Sequence, residues 1–575
     1  MTLPPLPTTI DNINPRQWDT FAPYYEELHS RQLTPDSARQ WLADWSNLKS
    51  LLDEAFSVIY VEKTIDTADT AKEAAFLDMI NNVLPQAQVA DQKLKQRLLA
   101  LANSHNDSLG SDMALVIRSM KNAADLFREE NIPLQTELSK LDNEFDKITG
   151  AMAAEWDGEK RNLSQLKVYL EEKDRTVREQ VWHTTMGLWL AKRQEINQIY
   201  TDMLTRRKQV AANAGLADYR EYAFRSNERF EYTPEACFTF HEAIAAVVVP
   251  AASRIYAKNA RRLGLDRLRP WDTDVDANDA PPLKPYKGQD ALVQGSLNII
   301  HQVDPILANY LATMAEEDLL DLETRPGKAL GGYCTEYPVR KRPFIFMNGT
   351  GTQTNVQTMF HEAGHAFHVF ETADLPFIWQ TRAPMEFCEV ASMSMELLAA
   401  PYIHQQNGGF YNTADTARAR IQHLERFITF LPYMAVVDGF QHWVYTHIDE
   451  AMNPANCDAA WDQLWARFMP DINWDGHEQA RMTGWHRKPH IFGSPFYYIE
   501  YGMAEVGALQ VWRNSLTDQL AAIQSYRRAL ALGGTRTLPE LFAAAGAEFR
   551  FDAAMLSSLM GLLEETLGEL DEQVV

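Results

Sequence analysis

The chain has 575 residues, a formal net charge of −24 and 46% hydrophobic residues. That acidity opposes nucleic-acid binding, and the length allows several domains or two lobes around a shared core. Cys237, Cys334, Cys388 and Cys457 make no CxxC pair, so reduced thiols in a cytoplasmic protein are expected rather than a disulfide framework.

From the N-terminus, MTLPPLPTTI has no basic stretch ahead of an apolar run, so no signal peptide is expected. The segment from Trp156 to Tyr200 has no Pro, and its apolar residues recur at intervals of three and four, predicting long amphipathic scaffold helices. Gly215 fits a helix C-cap. The longest apolar stretch, around Ala243 to Ala252, is too short to span a bilayer, so no membrane contact is expected. Pro270, Pro281, Pro282 and Pro285, with several Asp among them, make 269–288 a loop. Strand candidates are few and short outside 330–348, which gives a mainly α fold class.

The run His361-Glu362-Ala363-Gly364-His365 carries the most chemistry. In a helix, His361 and His365 fall on one face and both reach one metal ion, while Glu362 stands beside them within range of a water. Val356, Met359, Phe360, Ala363, Phe367 and Phe370 supply an apolar flank at helical spacing, so this helix is expected to be buried on one side and open on its histidine side. Gly364 weakens a helix, so its place between the ligands points to close packing of a metal or of a neighbouring helix. A catalytic zinc needs a third protein ligand and an open position. His368 and Glu371 stand where a metzincin would have Gly and His, which excludes that pattern. Residues 381–396 read as a second helix, with Pro384 in its first turn and Pro401 ending it. Glu386, Glu389 and Glu396 share one stripe of this otherwise apolar segment, so they need a cation or donors. Spacing alone leaves both Glu386 and Glu389 open as the third ligand.

The pairing of HEAGHAFH (361–368) with MEFCEVASMSMELL (385–398) resembles the zinc peptidase family that contains oligoendopeptidase F, thimet oligopeptidase and neurolysin. The resemblance implies a two-lobed helical zincin with a deep channel and a small β-sheet beside the zinc helix. It implies one Zn²⁺ per chain held by His361, His365 and Glu389, with Glu362 as the catalytic base and Glu386 and Glu396 orienting the ligands. The position six before the first His is usually acidic in that family and is Asn355 here, so an amide oxygen is expected to orient an imidazole.

Further segments are similar to the same family. Gly331-Gly332-Tyr333-Cys334 and Arg342–Asn348 resemble its glycine-rich loop and active-site strand, which implies peptide pairing along an exposed strand edge and a substrate-binding role for Gly331, Gly332, Tyr333, Phe344 and Phe346. His486–His490 and Phe496–Gly502 resemble its His and Tyr segment, implying that His490, Tyr501 and Tyr498 serve the oxyanion, with Tyr497 matching the bacterial form of the pattern. Arg206-Arg207, Ala211-Ala212, Gly215, Tyr219 and Tyr222, and the Pro270-Trp271-Asp272 triplet, are again family-like. The expected organisation is an N-terminal helical region over 1–200 and a catalytic region over 201–575. The implied activity is zinc-dependent hydrolysis of internal bonds in short unstructured oligopeptides. The alternatives are a gluzincin-type aminopeptidase and a silent peptide-binding protein of the same fold. Nothing in the sequence favours a monomer over a homo-oligomer.

Overall fold

A computed structural model describes residues 5–104 and 109–574. Helix α1 (Ala38–Ile65) buries Trp41, Leu42, Trp45, Leu48, Leu51, Leu52 and Ala55, a three-and-four repeat that fixes its inward face. With residues of Leu84–Ser104 and Ala114–Leu126, this face builds one hydrophobic core. A second and larger core runs from Val61 to Leu570 and takes in every helix that carries the site described below.

The stretch expected to be helical from Trp156 begins instead as a hairpin, β1 (Ala153–Trp156) with β2 (Glu159–Asn162). Asp157 and Gly158 both take positive φ, 53° and 77°, the two-residue turn that Asp-Gly favours. Helix begins only after Asn162, which caps Leu163–Lys167. Further on, α2 (Arg193–Asn213) ends as expected at Gly215, whose φ is 75°, with Leu216 N donating to Ala211 O at 3.1 Å. The 269–288 segment is irregular apart from one turn at Pro270–Asp272. The buried Asp272 there pairs with Arg175 at 2.9 Å and Arg178 at 3.0 Å, so the triplet is a structural clamp.

Helix α3 (Pro234–Ala243) continues through a π-helical turn, Ile244–Val248, into Val249–Arg262. The resulting 29-residue run has a mean hydropathy of 1.5 over its most apolar window, long and apolar enough for a bilayer. This corrects the sequence reading, which measured only the uninterrupted apolar stretch. Half of that window is buried within the protein, where Phe240, Ile244, Val248, Ala251 and Ile255 join the larger core.

The three-stranded sheet has the order β3 (Leu320–Glu323), β5 (Arg342–Gly349), β4 (Tyr333–Tyr337), with β3 parallel and β4 antiparallel to β5. The turn between β4 and β5 is held by Glu54 of α1, whose carboxylate accepts from Val339 N at 2.7 Å and Arg340 N at 3.0 Å. The smaller core is thus tied to the sheet that flanks the site.

Helix α4 (Gln353–Thr372) follows directly, and α5 (Met385–Ala399) crosses it; α6 (Thr413–Thr446) and α7 (Tyr498–Thr517) complete the surround. A Cβ at Gly364 would lie 2.5 Å from Ser392 Cα and 2.6 Å from Ala391 O. Of the two partners expected for this glycine, the structure supplies the neighbouring helix. That close crossing brings the α5 carboxylates to the α4 histidines.

Candidate active site

The Nε2 atoms of His361 and His365 lie 3.3 and 3.6 Å from Glu389 Oε2, and the ligand atoms of the three residues fall within 4.8 Å of one another. One imidazole pair and one carboxylate at this spacing fit a small divalent cation with bonds of about 2.0–2.2 Å. Both histidine side chains keep nearly a fifth of their surface exposed, whereas Glu389 is buried from the α5 side. The donor set therefore suits a metal with one face left open.

Two of the three residues, His361 and Glu389, are oriented by further groups. His361 Nδ1 donates to Glu396 Oε1 at 2.8 Å, which leaves Nε2 free for a metal, and His423 Nε2 reaches the other Glu396 oxygen at 2.9 Å. Tyr497 OH donates to Glu389 Oε1 at 2.5 Å, and Ser392 Oγ donates to Glu389 Oε2 at 3.2 Å. Glu386 does not join this group. It accepts from Tyr232 OH at 2.5 Å and faces Arg229, which also binds Glu500 at 2.8 Å and the Phe496 carbonyl. The stripe diverges because its members meet different helices, and Glu386 lies over the Arg229 side.

Asn355 is likewise reassigned. Its Oδ1 accepts from Thr350 N at 2.8 Å and Thr352 N at 3.1 Å, so it caps the N-terminus of α4 and orients no histidine.

Burial pushes Glu389 up, but His365 and His361 outweigh it and hold the carboxylate well below its usual range. Burial lowers His361, yet Glu389 and Glu396 together raise it well above the ordinary imidazole value. Glu396 is opposed by burial and drawn down to about 2 by His361 and His423. Glu362 is raised by burial, with His361 and His365 pulling the other way, and its Oε2 is buried with no hydrogen-bond partner among the described residues. A basic, unpartnered carboxylate oxygen beside the ligands is suited to receiving a proton.

His490 Nε2 lies 3.2 Å from Tyr501 OH. Burial and then Lys488 push His490 down to about 3, so it is a neutral imidazole near pH 7. Tyr501 is raised well above its usual value by burial and by Glu389, so its phenol keeps its proton. Tyr498 is set apart: its hydroxyl accepts from Lys488 Nζ at 3.1 Å. Two cavities meet at His361 and Tyr501. One of about 440 Å³ holds Glu362, His365, Glu389 and Tyr497, and one of about 280 Å³ holds Glu396, His423, His490 and Tyr498.

The strand edge expected at Arg342–Asn348 is not exposed there. Phe344 and Phe346 sit on β5, the middle strand, with both side chains buried and β4 pairing through Thr335↔Phe344 and Tyr333↔Phe346. The middle strand has no free edge for a peptide. The edge strands are β3 and β4, and on the β4 side Gly332, Tyr333, Cys334, Thr335 and Glu336 all border the larger cavity beside the metal-type cluster. Gly331, at φ 94°, shapes the approach, its carbonyl accepting from Asn348 Nδ2 at 2.8 Å.

Sequence reasoning missed three supports. Arg207 of α2 is buried and donates to Tyr445 OH at 2.8 Å, Ile491 O at 3.3 Å and Phe492 O, so it fixes the short helix that carries His490. Its signal was the Arg206-Arg207 pair inside a helix read as scaffold. Arg229 anchors the turn at Phe496, which takes a φ of 65° immediately before Tyr497. His423 gave no local signal, because no second histidine lies within a helical turn of it on α6.

The sequence pattern of peptidase family M3 matches residues 168–561. An oligoendopeptidase F homolog of Mycoplasma pneumoniae is 22% identical over 474 residues, covering 75% of this chain and 72% of its own length. Oligopeptidase PepF of Bacillus subtilis is 22% identical over 336 residues, 56% of this chain and 47% of its own. Among solved structures, PZ peptidase A with inhibitor 2 superimposes with a TM-score of 0.90 at 24% identity, covering 96% of this chain and 97% of that one. Oligoendopeptidase-F from Enterococcus faecium superimposes with a TM-score of 0.64 at 15% identity, covering 97% and 98%. These likenesses establish the fold as the expected one: mainly helical and two-lobed, with a small sheet beside the H-E-x-x-H helix.

Proposed function

The chain belongs to peptidase family M3, and from that premise we propose that it is a zinc-dependent oligoendopeptidase that cuts internal bonds of short unstructured peptides. The observation that carries this reading is the convergence of His361, His365 and Glu389 within 4.8 Å, with the unpartnered Glu362 oxygen beside them and an open strand edge along the same cavity. The three residues would hold one zinc ion, which when bound supplies a Lewis acid that polarises the scissile carbonyl and acidifies a water.

The protein's own groups do the rest. The β4 edge, Gly332 to Glu336, aligns the peptide by main-chain hydrogen bonds, which recognise any sequence that can extend. Glu362 takes a proton from the attacking water and delivers it to the leaving amine. Tyr501, paired with neutral His490, donates to the developing oxyanion, while Tyr497 holds Glu389 and leaves that role to its neighbour. The N-terminal helical region forms one wall of the channel and the catalytic region follows, the larger core and α2 running across their boundary near residue 200 and Glu54 joining wall to sheet. None of the four cysteines is in a disulfide, which supports a cytoplasmic location.

The test is cleavage of an internally quenched peptide blocked at both ends by metal-quantified protein, with chelator and zinc add-back. Chelator-sensitive internal cuts support the reading. Cleavage confined to peptides with a free amine would make the protein an aminopeptidase, and bound zinc with no cleavage of any peptide would leave a binding protein.

A further inference from the structure

Helices α3 and α6 each carry two ligand-type side chains four residues apart, Cys237 with His241 and Asp438 with His442. That spacing sets each pair on one helical face, and the two faces meet. The ligand atoms of Cys237, Asp438 and His442 lie within 4.8 Å of one another; His241 lies outside this trio and approaches it through Asp438, with Nε2 of His241 and of His442 3.0 and 3.3 Å from Asp438 Oδ2. A tetrahedral ion with bonds near 2.0–2.1 Å separates its ligands by about 3.3–3.4 Å.

Asp438 needs a positive partner here, supplied either by a bound cation or by protonation of His241 and His442. Cys237 and Asp438 are 0% exposed, His442 2% and His241 4%. His241 Nε2, both ring nitrogens of His442 and both oxygens of Asp438 make no hydrogen bond of acceptable geometry, despite their proximity. Among the described residues, the only ion-pair partners of Asp438 are these two histidines. Phe238, Phe496 and Phe224 pack against His442, with ring centroids 4.6, 5.1 and 5.8 Å away, and Phe468 packs against His241 at 6.2 Å, so the pocket is walled by apolar rings. A carboxylate this deep is costly without a cation.

We propose that Cys237, His241, Asp438 and His442 form a second metal site, separate from the catalytic cluster and closed to solvent, which takes a zinc ion through one thiolate, two imidazole nitrogens and one carboxylate oxygen. Mixed sulfur, nitrogen and oxygen donors suit zinc, and four protein ligands with no open position make the site structural. Binding releases the Cys237 proton, so occupancy falls in acid. The ion would pin α3 to α6 beneath the tyrosine segment: Phe496, which packs on His442 and whose N–H donates to Gln441 Oε1 at 2.6 Å, immediately precedes Tyr497.

Cobalt substitution of the full chain tests this, because the catalytic cluster has no sulfur ligand. A thiolate-to-cobalt charge-transfer band in the near ultraviolet is expected in the native chain, retained in H361A/H365A and lost in Cys237→Ser. Cys334 and Cys388 border the catalytic cavity, so the Cys237→Ser arm assigns the band. In parallel, zinc content is expected to be about two per native chain and about one in H361A/H365A. No thiolate band in the native chain, a band that persists in Cys237→Ser, or about one zinc per native chain would overturn the proposal. Because the native chain alone gives a band and a stoichiometry, the test stands even if a variant fails to fold.

Discussion

The two His-containing clusters use the same device, a pair of ligands four residues apart on one helix met by residues of a second helix, and differ in what surrounds them. Around His361, His365 and Glu389, two cavities keep the histidines partly open, and a base, two tyrosines and a strand edge are within reach. Around Cys237, His241, Asp438 and His442, four phenylalanines pack against the imidazoles and all four ligand-type side chains are buried. The ligands alone do not separate a reactive site from a brace. The shell does, by deciding whether a water and a carbonyl can reach the ion.

The largest effect that would break this contrast lies at the open cluster. Glu362→Gln should lower kcat by about 10²–10⁴-fold while zinc content and peptide affinity hold; near-native turnover would mean that the exposed side is not where protons move. Tyr501→Phe should cost roughly 10²-fold in kcat, and a change confined to KM would make it a binding group instead. Replacing the orienting acid, Glu396→Gln, weakens the hold on His361, so zinc affinity should fall about 10–100-fold in competition with a chelator, with kcat of the zinc-saturated protein less affected. Gly364→Ala sharpens the comparison through packing alone. A methyl group there overlaps α5, so about 1–3 kcal/mol of stability should be lost in denaturant melts.

The smallest effect concerns Glu505 on α7, buried beside the open cluster with neither oxygen hydrogen-bonded. Burial, and then Glu396, raise it well above the usual carboxyl range, with Arg426 opposing. A carboxyl whose folded value exceeds its unfolded value favours the folded state below about pH 4, and that stability is lost as pH rises towards the folded value. Glu505→Gln should therefore match the native Tm in acid and exceed it slightly at neutral pH. Equal slopes of Tm against pH would show that Glu505 ionises freely.

The H-E-x-x-H cluster was legible because His361, Glu362 and His365 fall within five consecutive residues, where helical geometry alone sets their relation. Glu389 became readable through its motif, and the mainly helical class followed from periodicity and from the scarcity of strand candidates. Glu386, Asn355 and the strand edge were not legible. An acidic stripe does not say which neighbour each acid will meet, and residues 330–348 read as strand whether they lie in the middle or at the edge of a sheet.

The sequence by itself determined most of the helices and the placing of His361, Glu362 and His365 beside one another, because each depends on neighbours within a few residues. Only the tertiary structure decided that Tyr497 holds Glu389, that His423 meets Glu396, that β4 is an edge strand, and that Cys237 meets Asp438 and His442, and His241 meets Asp438, about 200 residues away. Those relations depend on how helices cross and on which side chains the crossing desolvates, and a short stretch of chain holds no record of the partner it will meet.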